Sequence, residues 1–153
     1  MQKSSIMPNA ITILNREEDR RVVEAIKQAE LNTSGEIKVH IENFCRGSVE
    51  KRSLVVFKRL RLNKTSLRNG VLIYLSVMDR RFAILGDEGI NNVVEDGFWN
   101  DVKDLMQSHF KEGRFVEGLE QGIQRCGEKL KTYFPHQSDK INEIPDEISY
   151  ENN

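Results

Sequence analysis

The alternation of periodicities along this chain predicts an α/β fold, a three-layer α/β/α sandwich built on a small mixed sheet. Three observations carry that expectation. Helical and strand patterns take turns along the first half of the sequence. Gly70 to Val77 is apolar at both parities, the mark of a central strand covered on both faces. The connections differ in kind: the link between the first two strands contains a helix, so they run parallel with a right-handed crossover. Met78-Asp79-Arg80 leaves room only for an antiparallel hairpin.

The elements follow in order. Asn15 can cap a first helix while Glu18 reaches back to the cap, and Val22, Ile26 and Ala29 recur at helical spacing. Asn32-Thr33-Ser34-Gly35 stops that helix. Glu36 to Glu42 alternates strictly and predicts a strand over 36–43 with Ile37, Val39 and Ile41 facing the core. Its opposite face is polar, which puts the strand at an edge or beneath long side chains. Ser48 can cap a second helix reaching about Leu62, with Leu54, Val55, Phe57 and Leu60 among its buried positions. The strand from Gly70 turns back through Arg81-Phe82-Ala83-Ile84-Leu85. Beyond it lie two amphipathic helices, one striped by Phe98, Val102, Leu105 and Met106, the other by Val116, Leu119, Ile123, Cys126, Leu130 and Tyr133. Gly113 separates them. Phe98 and Trp99 fit core contacts. A single domain is expected over 1–135, ended by Pro135, followed by an acidic tail over 136–153 without apolar periodicity, flexible or extended on the surface.

Size and composition agree with one core. The chain has 153 residues, 38% hydrophobic and 31% charged, with a formal net charge of −1. The longest apolar run, Val71 to Leu75, is too short to span a bilayer. Met1 to Pro8 has no continuous apolar stretch of the secretory kind, and Cys45 and Cys126 form neither a metal-type pair nor a disulfide framework. A cytoplasmic location is the expectation. Charge is distributed unevenly. Arg46 to Arg68 holds eight basic residues against Glu50, whereas the segment after Pro135 carries Asp139, Glu143, Asp146, Glu147 and Glu151 against Lys140. Opposite patches imply an acidic partner for the first or contact between the two; a solvated helix face and a solubilising tail would look the same.

The predicted topology has a consequence for function. The start of the first strand, the start of the second and the end of the third must share one edge of the sheet. That edge gathers Ser34-Gly35-Glu36, Arg68-Asn69-Gly70 and Gly86-Asp87-Glu88-Gly89. These segments, with Arg81-Phe82-Ala83-Ile84, Phe98-Trp99, Phe110-Lys111-Glu112-Gly113-Arg114-Phe115 and Gly118, resemble the TPM domain family in order and spacing over roughly residues 12–149. The tail Asn142-Glu143-Ile144-Pro145-Asp146-Glu147-Ile148-Ser149 resembles its stand-alone soluble bacterial branch. The resemblance implies an α/β/α sandwich and divalent-cation binding, calcium especially and magnesium second, in loops at one end of the sheet. It also implies, more distantly, acid phosphatase activity.

Asp87 leads the candidate ligands, because it follows a strand between two glycines and offers a hard oxygen. Glu36 is the natural second carboxylate, and Asn69, Glu88 and Asn91 are further oxygen donors. Asp87 as a turn former and Glu36 as a solvated strand end account for the same residues. If both are ligands, the ion-free protein should carry their mutual repulsion. An EF-hand is excluded, since counting from Asp87 puts Asn92 where the glycine belongs and Phe98 where the bidentate glutamate belongs. No residue is assigned a catalytic role. Neither cysteine opens a phosphate-cradling loop, there is no Gly-x-Ser-x-Gly or His-Glu-x-x-His motif, and His40, His109 and His136 read as structural or solvated. The readings in contention are a cation-responsive interaction module with an unidentified protein partner, and a metal-dependent phosphatase in which Asp87 and Glu36 hold the ion and Arg68 meets phosphate. Nucleic acid is not an expected partner, because no aromatic side chain is interleaved on the exposed face of the basic helix.

Overall fold

The structure, a computed structural model, describes residues 9–153; what was read from Met1 to Pro8 lies outside them. Its elements are α1 (Arg16–Glu30), β1 (Glu36–Glu42), α2 (Val49–Arg59), a 3₁₀ turn (Leu62–Lys64), β2 (Gly70–Ser76), β3 (Arg81–Gly86), α3 (Glu88–Asn91), α4 (Asn100–Lys111), α5 (Phe115–Tyr133) and β4 (Ser149–Glu151). The strand order is β3-β2-β1-β4. β1 and β2 are parallel with Glu36 opposite Gly70, and β2 and β3 antiparallel with Val71 opposite Gly86. The mixed α/β sheet is therefore the one expected.

One face of the sheet belongs to α1, α4 and α5. Ile37, Val39 and Ile41 of β1 join Val71, Ile73 and Leu75 of β2 in a core with Val22, Ile26, Val102, Met106, Leu119 and Ile123. Phe98 and Trp99 close it with rings edge to face, 4.7 Å between centroids. Helix α1 starts as a capping box: Asn15 Oδ1 accepts from the Glu18 N–H and Glu18 Oε1 from the Asn15 N–H. Helices α1 and α5 approach closely at Gly127, where an added Cβ would lie 2.9 Å from the Ala29 Cβ.

The other face is smaller and more polar. Leu72 and Tyr74 pack with Val56, Phe57, Leu62 and Ile144. Here α2 departs from the expected register: Ser53, Val56 and Phe57 are buried, while Leu54 and Val55 are exposed. The helix is turned because Arg52 must face the sheet, where its guanidinium meets the buried carboxylate of Glu42 at 2.6 and 2.8 Å. An ion pair of that kind overrides an aliphatic pattern, since an unpaired buried carboxylate costs several kcal/mol.

Of the two states expected for the tail over 136–153, flexible or extended on the surface, the structure shows the second. The segment is extended, but docked. Its end forms β4, parallel to β1 with His40 opposite Ser149 and Glu42 opposite Glu151. Strand β1 is thus interior, and its polar face is buried: Glu36, Lys38, His40 and Glu42 are all enclosed. Polar residues tolerate burial only when hydrogen-bonded, and the tail supplies those bonds. The acidic tail and the basic helix also meet, through Glu151 with Arg59 at 2.7 Å and with Arg52 at 3.3 Å. Among the described residues no helix is long and apolar enough to cross a membrane.

Candidate functional site

The shared sheet edge exists, and main-chain bonds weld its three segments together. The Glu36 N–H donates to Asn69 O, the Asp87 N–H to Gly70 O, and the Gly89 N–H to Arg68 O. Gly89 is obligatory in this weld, because a Cβ there would sit 2.5 Å from the carbonyl oxygens of both Leu67 and Arg68. Arg68 itself adopts φ +51°, a left-handed conformation that is strained for a side-chain-bearing residue.

That conformation accompanies the strongest pairing of the edge. Arg68 Nε and Nη2 donate to the two carboxylate oxygens of Asp87 at 2.7 and 3.0 Å, and Nη1 donates to Glu88 at 3.0 Å. The bidentate fork on Asp87 raises the affinity of the guanidinium for its proton. Asp87 is buried and caps α3, although its side chain makes no capping bond. Glu36 is served separately: Oε1 accepts the Ile144 N–H at 2.6 Å and Oε2 accepts from Lys140 Nζ at 2.5 Å. Each carboxylate therefore has its own cation, so the expected mutual repulsion of Glu36 and Asp87 in the ion-free protein gives way to two compensated pairs. Asn91 donates through Nδ2 to Gly86 O, and Asn69 donates to Ser34 Oγ while its Oδ1 is buried without a partner.

The five predicted ligands lie along the same edge, where each carboxylate is already paired with a basic side chain, Asp87 and Glu88 with Arg68 and Glu36 with Lys140. The cluster of potential metal-ligating groups among the described residues is elsewhere: His40, Glu42 and Glu151 bring ligand atoms within 4.8 Å of one another. A cation already fills that place. Glu42 Oε1 and Oε2 accept from Arg52, Oε2 also from the Tyr74 hydroxyl, and Oε1 lies 2.9 Å from His40 Nε2. Burial opposes the charge of Glu42, but the bonds from Arg52, Tyr74 and His40 outweigh it and hold the carboxyl down at about 2. Burial pushes the His40 pKa below its usual value, and its ring stacks on Tyr74 at 5.9 Å between centroids. The sequence signal for this network was the polar parity of β1 opposite Tyr74, which reads as an edge or a cover of long side chains when no covering strand is foreseen.

Nucleophilic chemistry finds no support in the cysteines. Both are buried, and burial pushes the Cys126 thiol up to about 12. His109 is bound to the carbonyl of Leu105 within α4, and His136 is exposed.

Comparison with known proteins agrees with the architecture. The family model described as TPM domain matches residues 9–129. The chain belongs to the TPM domain family. Among solved structures, this TPM-domain protein is similar to the BA42 protein from the psychrophilic bacterium Bizionia argentinensis. The two share 44% identity and a TM-score of 0.84 over 99% of this chain and 100% of that one. It also shares the fold of the N-terminal domain of a P. gingivalis protein, at 21% identity and TM-score 0.66 over 82% of each chain. No curated protein matches it.

Proposed function

We propose that this TPM-domain protein is a divalent-cation-responsive interaction module whose ion is held at the edge formed by residues 34–36, 67–70 and 86–91. The single observation that supports this best is the composition of that edge. Asp87 and Glu88 carry their charge against one removable arginine, Asn69 Oδ1 is buried and unpaired at the start of the neighbouring strand, and exposed apolar residues belong to the segments at the same end of the molecule. Leu31, Leu67, Val93, Tyr133 and Ile141 are all exposed there, and exposed apolar residues gathered at one end suit protein contact.

The donor set fits a hard, oxygen-seeking cation in chemistry. Asp87, Glu88, Asn69 and the side-chain oxygen of Asn91 would hold it, with Arg68 swinging out to water. Glu36 could join only after releasing Lys140 and the Ile144 N–H. An ion replacing a guanidinium recovers little net Coulomb energy, so affinity should be micromolar or weaker, on the order of sensor or extracellular sites. Hydrolysis of phosphate esters is less well supported, because Arg68, the residue expected to meet phosphate, is occupied by two carboxylates.

The test is titration of calcium and of magnesium into the ion-free protein, followed residue by residue by NMR and by calorimetry. Shifts should centre on Asn69, Asp87 and Glu88. Asp87→Asn should weaken binding at least about tenfold, roughly 1.4 kcal/mol. Asp79→Asn, at the opposite end of the β2–β3 hairpin, should not. Equal affinity in wild type and Asp87→Asn would refute the assignment.

A further inference from the structure

The polar face of β1 has the anatomy of a receptor for an extended peptide. Going along the strand, Glu36 takes the Ile144 N–H at 2.6 Å. Lys38 Nζ donates to the carbonyls of Pro145 and Glu147 at 3.0 and 2.6 Å. His40 Nδ1 lies 2.9 Å from Ser149 Oγ, and Arg52 and Arg59 meet Glu151. Asn43 closes the row, its N–H donating to Asn153 Oδ1 at 2.9 Å and its Nδ2 to Asn152 Oδ1 at 2.6 Å. Two aliphatic anchors set the register: Ile144 enters the smaller core and Ile148 the larger. Main-chain bonds along a strand edge for affinity, and spaced side-chain seats for specificity, are how folds recognise peptides by strand addition.

The ligand is attached by a slender connection. His136 to Asp139 are all exposed, and the hinge holds one backbone bond of its own, Lys140 N–H to Gln137 O at 3.0 Å. Once its contacts with β1 and α2 are broken, so slight a hinge leaves residues 140–153 free to move as a unit. The outer edge and polar face of β1 are then left open, with Glu36, Lys38 and Asn43 stripped of the partners just named, and the segment best matched to that row is this same tail.

We propose that the β1–α2 groove is a peptide-binding site whose ligand is the C-terminal segment Lys140 to Asn153, taken in trans from a second copy of this chain as well as in cis. Exchange of an identical element recreates the same contacts in the partner, so it costs little beyond association. The tethered tail competes at an effective concentration in the millimolar range. The monomer therefore dominates in dilute solution, and exchange appears where the resident tail is weakened or the protein is concentrated.

Two complementary full-length variants test this. Ile148→Asp spoils the tail and leaves the groove intact; Lys38→Glu spoils the groove and leaves the tail intact. Each alone should sediment as a monomer, and an equimolar mixture should form a 1:1 heterodimer. A synthetic Lys140–Asn153 peptide is the second probe, independent of how Lys38→Glu folds. It should bind Ile148→Asp at least about tenfold more tightly than wild type, where the resident tail competes. It should also raise the melting temperature of Ile148→Asp. The proposal is overturned if millimolar peptide leaves Ile148→Asp unchanged while hydrogen exchange shows its tail released, or if the mixed variants stay monomeric while that peptide is bound no better than by wild type.

Discussion

Replacing Glu42 by Gln should be among the most destabilising single changes to this protein, and the loss should vanish in acid. The carboxylate is wholly enclosed and accepts from Arg52, Tyr74 and His40. Gln keeps the shape but loses the charge, leaving Arg52 without its bidentate partner. Holding the carboxyl near 2 rather than 4.5 corresponds to about 3 kcal/mol of stability. Breaking a buried pair costs about 3–5 kcal/mol, and the residual contact of Arg52 with Glu151 argues for the lower end. The expected loss at pH 7 is therefore about 3 kcal/mol, a fall in Tm of roughly 6–12 °C for a chain of this size. The sign with pH follows from a depressed folded-state pKa. The contribution is complete above 4.5, where the unfolded carboxyl is ionised, and is lost as pH falls through about 2. Denaturant unfolding at pH 7, 4 and 2 should thus show the gap between wild type and Glu42→Gln closing in acid. A gap under about 1 kcal/mol at pH 7, or one that does not change with pH, would refute the reasoning.

Glu30 should act in the opposite sense. Burial, with the acidic Asp146 beside it, pushes its carboxyl up to about 9 against the Ile37 N–H that it accepts at 2.8 Å, so its contribution is present below 4.5 and lost as pH rises toward 9. Glu30→Gln should flatten the decline in wild-type stability over that window in unfolding curves recorded between pH 5 and 9. An unchanged slope would count against a protonated Glu30. Gly89→Ala forces a Cβ into two carbonyl oxygens and should cost about 1–3 kcal/mol, with chemical shift changes at Leu67 and Arg68. Wild-type stability there would mean the loops separate freely. Lys38→Met removes the donor to two tail carbonyls, so amide protection at Ile148 to Glu151 should fall while that of β2 holds. Equal protection throughout would show that the tail does not depend on Lys38.

The candidate edge was legible in the sequence because it follows from connectivity. A helical crossover and a three-residue reversal leave one arrangement of β1, β2 and β3, and that arrangement alone gathers Glu36, Asn69 and Asp87. Local chemistry also fixed the Asn15–Glu18 box and the apolar stripes of α4 and α5, since these depend on neighbours within a turn or two. What each carboxylate bonds to was beyond reach. Arg68 and Lys140 reach their partners across 19 and 104 residues, and no pattern in the chain ranks one such pairing above another.

The sequence by itself determined α1, α2, α4, α5 and the first three strands with their directions, because hydrophobic periodicity and connection length act locally. The tertiary structure alone decided the fate of the polar face of β1. Alternation of Glu36, Lys38, His40 and Glu42 reads as an edge strand or one beneath long side chains, and the tail shows no strand of useful length. Each is intelligible only with the other. Buried polar groups and an extended acidic segment satisfy one another across more than a hundred residues, and that mutual desolvation turns a surface strand into an interior one.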